Sequence, residues 1–588
     1  MKRWSQLALV TLLSGCGGDE TQPVLPQPAA CEEHELALSD GSCIRPGVPL
    51  DGCAEGFVHD GVYGCEPILP AEPCPPGLMA VPGDETCRAI MECGEGKWGD
   101  LPVDGTTEYV DGSYAGGDAD GSEAKPWPTI GEAVDAAAPG ALIAVAAGTY
   151  SESVLIDGKP VRLWGVCPDQ VTVEATGQQV DVCPPTALCI IGGADGTEVG
   201  GLALRGPGAG ITLAGGENVL VDRVRVHDNA AHGIATIGAL GPTSMLLRDS
   251  LIEQNHDIGL VVMGSLITGE RTVVRTTQPR LADQMIGVGV SIQITCLATS
   301  TGMDCDPTAR GNATLRGMLI EQNHDQGLLV AGSDAIVEGT VVRNTLPRAA
   351  DLRNGYGIDV QLACEGTAAG EACDPSTRST FSIRGSLIEQ SHEGGLVVMG
   401  SDAIVETTVV RATWPRASTQ TMGNGVSFQQ SCLRGSTGLI ECDPATAATG
   451  SLHRSLIEHS HDFGLLVLGS EATVEETVVR ATYPRPQSGL YGDGIAVQME
   501  TTTSAATFTK MLIADSTRAG LSLFGSVVSL ADSHIRCAAM ALNGELYAGN
   551  DFELFDGGNN SCGCPIADGT CKLLSAGLQP PDALPGIE

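Results

Sequence analysis

Two kinds of dipeptide alternate through the middle of the chain. His256-Asp257, His324-Asp325, His392-Glu393 and His461-Asp462 interleave with Pro279-Arg280, Pro347-Arg348, Pro415-Arg416 and Pro484-Arg485. An imidazole beside a carboxylate suits proton transfer or metal ligation, and a row of guanidinium groups can hold carboxylates through paired hydrogen bonds. Trp414 and Tyr483 directly precede two of the Pro-Arg pairs, where aromatic rings could stack on sugar rings. Arg280, Arg348, Arg416 and Arg485 with Trp414 and Tyr483 are therefore the candidate ligand-binding residues. Stacked polar corners are the plainer reading of the same residues. No catalytic residue is assigned: the same groups recur with equal quality in every repeat, whereas catalysis needs one asymmetric constellation.

The spacing of these residues dictates the elements that must carry them. The segment 250–265 returns at 318–333, 386–401 and 455–470, and in weakened form at 511–526. A fixed period with strand-forming residues between polar corners is the signature of a solenoid, whose turns bury their apolar sides by stacking. The histidines are 68, 68 and 69 residues apart, too far for one turn, so each period holds two coils. The second coil is visible at 272–280, 340–348, 408–416 and 477–485. Aligning the two kinds of coil puts Ile252, Val274, Ile320, Val342, Ile388, Val410, Ile457 and Val479 in one inward stack. Asn255, Thr277, Asn323, Thr345, Ser391, Thr413, Ser460 and Thr482 form a polar column that can satisfy backbone groups at a corner. Pointing outward, Glu253, Arg275, Glu321, Arg343, Glu389, Arg411, Glu458 and Arg480 alternate in charge. As exposed pairs each would contribute about 0.2 to 1 kcal/mol, so the column is expected to set coil register. A zinc comb is excluded, because equivalent histidines would lie about 10 Å apart and one ion needs ligands at about 2.0 to 2.1 Å.

Cysteines and charge bound the compartment and the partners. Beyond Cys16 there are 20 cysteines, an even number that points to disulfides in an oxidising compartment. Within the second coils, Cys296 with Cys305, Cys364 with Cys373, and Cys432 with Cys442 are expected to close three short fingers, each worth roughly 2 to 3 kcal/mol. The formal net charge is −40, which opposes the counterion-release term that drives proteins onto nucleic acid. Nucleic acid is excluded as a partner. No cofactor or resident metal is expected; calcium is the one ion that the turn residues Asp118, Asp120, Asp306, Asp374 and Asp443 could take.

The amino terminus carries Lys2 and Arg3 and then an apolar run from Leu7 to Leu13, too short to span a bilayer. It ends at Leu13-Ser14-Gly15-Cys16, which resembles the lipobox of bacterial lipoproteins. The resemblance implies cleavage before Cys16, acylation of that cysteine and anchoring to a membrane; Gly17 behind it favours the outer membrane or cell surface. Residues 16–30 would be a Pro-rich, lipid-attached linker, 31–108 a Cys-rich disulfide-knitted domain, 109–140 a cap, 141–530 the solenoid, and 531–588 a Cys-containing C-terminal cap and tail.

In the cap, 118–130 reads as a turn, 131–138 as an amphipathic helix, and 141–156 as a strand, a turn and a second strand. Here the chain resembles the entry of right-handed parallel β-helix proteins of the pectate-lyase-like superfamily. That resemblance implies an all-β fold, a right-handed parallel β-helix with an N-terminal capping helix, and polysaccharide as the ligand class. The hydrolase motifs Asn-Thr-Asp and Gly-His-Gly are absent, since Ala231 stands before His232-Gly233. The expectation is therefore a lipid-anchored cell-envelope protein displaying a binding face for polysaccharide. A polysaccharide lyase or hydrolase, and a structural or adhesion scaffold, are the alternatives; repetition weighs against an enzyme.

Overall fold

The computed structural model describes residues 31–582 apart from 33, 180, 300–301, 368–369 and 435–439. Cys16 and the linker behind it lie outside them. The chain winds as a right-handed parallel β-helix with three long sheets. Sheets I and II contain 16 strands and sheet III contains 15. Each coil visits them in that order; the first is Leu142–Val145, Gly148–Tyr150 and Val154–Ile156. A short helix, Ile130–Ala136, covers the open end, with Thr129 as its N-cap and Ile130, Ala133 and Val134 buried. Winding continues to Leu573–Leu574, which pairs with Met540–Glu545 and closes sheet III.

The double coil per period is present. Glu321 pairs in register with Arg275 on one side and Arg343 on the other. Coils of 22 and 46 residues alternate, as the sequence separations of coil-to-coil hydrogen bonds show. The longer coil carries a loop between sheets II and III and a finger between sheets III and I. The fingers are braced by Cys296–Cys305, Cys364–Cys373 and Cys432–Cys442.

Ile252, Val274 and their equivalents fill the centre of the solenoid, where β-branched side chains pack on a pleated surface. After sheet II the chain turns through a left-handed residue in each coil from Asp228 to Cys537, Gln254, Thr276, Gln322 and Asn344 among them. Such conformations are unfavourable for residues other than glycine. Each is held because its N–H donates to a carbonyl of the next coil, as from Gln322 to Arg343. The inside of that corner is so tight that a Cβ on Gly357 would lie 2.5 Å from Ile388 Cγ2. The polar column acts as expected where it is Asn: Asn323 Oδ1 accepts from the Thr277 N–H and Asn323 Nδ2 donates to the Val274 carbonyl. Where it is Ser391, Thr413, Ser460 or Thr482 the hydroxyl finds no partner among the described residues, because the shorter side chain does not span to the neighbouring coil.

The acid–base column on sheet II corrects the expectation of an exposed face. Residues 31–93 form an elongated strap that lies along this sheet, antiparallel to the direction of winding. Ser39 bonds to Asp532 near the last coils, Glu66 pairs with Arg411 midway, and Arg88 reaches Asp249 near the first. Cys93–Cys167 fastens it to the solenoid, while Cys31–Cys43, Cys53–Cys65 and Cys74–Cys87 close loops within it. Phe57, Tyr63, Met79 and Val81 of the strap pack on an outward column of Leu251, Val273, Leu319, Val341, Leu387, Val409, Leu456 and Val478. Glu253 and Glu321 are consequently 1% exposed. Arg275 pairs with Glu253 and also donates to the carbonyls of Cys74, Pro75 and Leu78.

Candidate functional site

The corner between sheets II and III brings the histidines, acids, arginines and aromatics together. Parallel bridges pair His256 with Gln278, His324 with Leu346, His392 with Trp414 and His461 with Tyr483. One outer column therefore alternates imidazole with a second, variable residue. Each histidine Nδ1 lies 2.9 to 3.1 Å from a backbone carbonyl, Pro279, Thr277, Pro415 and Thr413 in turn. A carbonyl can only accept, so Nδ1 is the protonated nitrogen and Nε2 carries the lone pair of the neutral ring. Burial lowers the His461 pKa, which keeps that ring neutral at pH 7.

In the last two periods this column becomes an aromatic strip. Trp414 is 45% exposed and Tyr483 39%. His461 sits between them, its ring centroid 6.1 Å from Trp414 and 5.6 Å from Tyr483. His459 stacks on Tyr483 at 5.9 Å and its Nδ1 lies 2.8 Å from the phenol oxygen. Leu346, one repeat earlier in the column, is also exposed. Successive rings thus follow the coil spacing of about 4.8 Å. Neither histidine was singled out for this strip by sequence reasoning, although the register that aligns the coils already places His461 one coil from both aromatics.

The arginines behave otherwise, and the expected open cationic edge does not form. Arg416 turns inward and grips Glu393 with two bonds of 2.7 Å, and Glu393 is fully buried. Arg485 bonds to Asp462 at 2.6 Å, lies over the Tyr491 ring and reaches Asp582. Arg348 has 3% of its side chain exposed and pairs with Asp351. Only Arg280 stands out from the surface, engaged by Asp283 at 2.8 Å. The physical reason is the acid of the preceding coil. Buried carboxylates require partners, and the loop that follows each Pro-Arg supplies them. Asn354 Nδ2 donates to Asp325, while the backbone N–H groups of Asn354 and Met422 donate to Glu393 and Asp462. Burial still pushes Asp325 up to about 6 and Asp462 up to about 7. These acids and arginines clamp one coil to the next and leave the aromatic strip as the accessible part of the corner.

The candidate calcium aspartates are engaged by their own turns. Asp306, Asp374 and Asp120 each accept the N–H and hydroxyl of a residue two places on. Asp443 accepts from the Ala445 N–H, and Asp118 pairs with Lys125. Among the described residues, the one group of three with metal-ligand spacing is Cys31, Glu35 and Cys43, and its two cysteines are joined as a disulfide.

No protein-family model and no curated protein matches the chain. Among solved structures it is similar to pectate lyase Pel9A, at 12% identity and TM-score 0.35, over 63% of this chain and 78% of that one. The catalytic domain of a GH87 alpha-1,3-glucanase gives 11% identity and TM-score 0.36 over 78% and 70%. The A-module of the Azotobacter vinelandii mannuronan C-5 epimerase AlgE6 gives 13% and 0.30 over 74% and 94%. What identifies the chain is its own geometry: a right-handed parallel β-helix of alternating short and long coils, strapped along one sheet and edged by aromatic and imidazole rings.

Proposed function

We propose that the chain binds polysaccharide along the corner formed by Trp414, His461, Tyr483 and His459. The observation that carries this reading is the exposure of two large rings in one stacked column, in a chain with 4% aromatic residues. Such rings offer flat apolar faces, and the neutral His461 imidazole between them offers a hydrogen-bond acceptor. With Arg348, Arg416 and Arg485 committed to internal acids and a formal charge of −40, the edge suits neutral glycans better than polyanions. A glycan array probed with the full chain tests this. Neutral polysaccharides should be retained, and Trp414→Ala or Tyr483→Ala should each weaken binding tenfold or more, as removal of about 1.5 to 3 kcal/mol of buried ring contact implies. Equal retention by both variants, or cleavage of the bound polysaccharide, would overturn the reading.

The proposal includes attachment through an acylated Cys16, supported by the charged, apolar and Leu-Ser-Gly-Cys segments that precede the linker. The strap begins beside Asp532 and Asn559, so the anchor would hold the C-terminal end of the solenoid nearest the membrane. Labelled palmitate should enter the wild-type protein and not the Cys16→Ala variant; incorporation into both would remove the anchor.

A further inference from the structure

Two of the three faces of the solenoid are covered by the chain's own segments. The strap lies on sheet II. On sheet III, Met422 and Tyr491 of the loops join Val397, Met399, Leu466 and Ala496 in buried clusters. Sheet I stays open to solvent among the described residues: Leu266, Ile336 and Ile404 point outward from it and are 51, 46 and 50% exposed.

Three outward columns run along this face, each taking one residue from every coil. The central column passes from Leu220 through Thr268, Ile336 and Ile404 to Thr507 without a charged residue. On the side of sheet II, Arg248, Glu270, Arg316, Glu338, Arg384 and Glu406 alternate in charge, and His453 and Glu475 continue the alternation. These side chains reach water: Arg316 is 49% exposed and Arg384 62%. In the third column Asp334, Asp402 and Glu471 fall on every second coil, with Asn312, Thr380 and Thr449 between them.

We infer that sheet I is where two copies of this chain meet face to face, with their solenoids antiparallel. A two-fold axis running along the strands, midway between the coils of Glu338 and Arg384, sets Glu338 against Arg384 of the second copy. The same axis sets Arg316 against Glu406, and Arg248 against Glu475. In the third column it places Asp334 opposite Thr380, and Asp402 opposite Asn312, so no acid meets an acid. The two copies of Ile336 meet across the axis. A parallel pairing fails, because an axis along the solenoid would set Glu338 against Asp334 and Glu406 against Asp402; like charges directly opposite are destabilising. The surface is thus complementary to itself in one orientation, as a closed two-fold interface requires.

Area and charge agree with a stable pair. The ten strands from Val219–Asp222 to Ala505–Thr509 cover about 48 Å by 16 Å, roughly 800 Å2 on each copy, which is the usual share per partner of a specific interface. Intrachain pairs of Asp334 with Arg310, Asp402 with Arg378 and Glu475 with Lys510 lower the acidity of this face in a chain of net charge −40. The strap begins at the C-terminal end of the solenoid, so the two strap starts lie at opposite ends of the pair. With the anchor proposed above, copies held on facing membranes would meet through sheet I; the pairing itself needs no anchor.

Sedimentation velocity over a wide range of protein concentration tests the inference, at about 0.15 M salt, where repulsion between the acidic chains is confined to about 8 Å. The wild type should form a reversible dimer. Arg316→Glu and Glu406→Arg, each checked for fold by circular dichroism, should each weaken it at least tenfold, since each sets like charges together twice about the axis. The double variant should recover the dimer, because the two exchanged residues face each other. Ile404→Asp, which puts a charge into the neutral column, serves if Arg316→Glu does not fold. The inference is overturned if the wild type is a monomer at every concentration, if the folded single variants dimerise as the wild type does, or if the folded double variant stays as weak as either single one.

Discussion

Replacing Arg416 by Ala is expected to lower the unfolding free energy by about 3 to 5 kcal/mol, the usual cost of stranding a buried charge. Glu393 has no solvent exposure, and Arg416 supplies both of its charged contacts. The Asn354 N–H that also reaches Glu393 is a neutral donor and cannot replace a guanidinium. The companion variant Arg280→Ala removes an exposed pair with Asp283 and should cost no more than about 1 kcal/mol. Combining Arg416→Met with Glu393→Gln should recover much of the loss, because both charges are then absent. Urea unfolding followed by circular dichroism measures all of these. A change below about 1 kcal/mol for Arg416→Ala would show that the corner clamp is not a stability element, and would return Arg416 to consideration as a ligand contact.

Deleting residues 31–90 is expected to abolish the soluble monomer. The strap covers Leu251, Val273, Leu319, Val341, Leu387, Val409, Leu456 and Val478. Exposing each would forfeit about 1.5 to 3 kcal/mol and create one continuous apolar stripe, a surface that drives association. The deletion also returns Arg411 to water without Glu66 and removes the three carbonyl acceptors of Arg275. Arg275→Met isolates the last effect. It should loosen the strap around Cys74–Leu78, seen as faster amide exchange there and at Gly77, whose N–H donates to Glu253. Size-exclusion chromatography reads the deletion directly: a well-behaved monomer would mean that the strap is a passenger and that the stripe tolerates water.

Much of this was legible in the residues. The 68-residue period, the two coils within it and the inward stack of Ile252 and Val274 follow from the side-chain alternation of a strand. The same alternation puts Leu251 on the same face as Glu253, and Val273 beside Arg275. Eight outward aliphatics in register were therefore a written sign that something covers sheet II. The sign is easily passed over, because each Leu-Ile-Glu triplet is a reasonable strand when taken alone. The inward turn of Arg416 was not legible. A Pro-Arg dipeptide at a corner has the same local sequence whether the guanidinium faces water or Glu393.

By itself, then, the amino-acid sequence determined the winding, its period, the alternation of Glu with Arg and the pairing of cysteines in the three fingers, because these depend on regular spacing along one chain. Tertiary structure alone decided that the strap runs back along the solenoid and that the buried Glu393 and Asp462 draw Arg416 and Arg485 inward. Those outcomes join residues far apart in sequence, and they rest on desolvation: a carboxylate removed from water takes whichever cation the fold brings near.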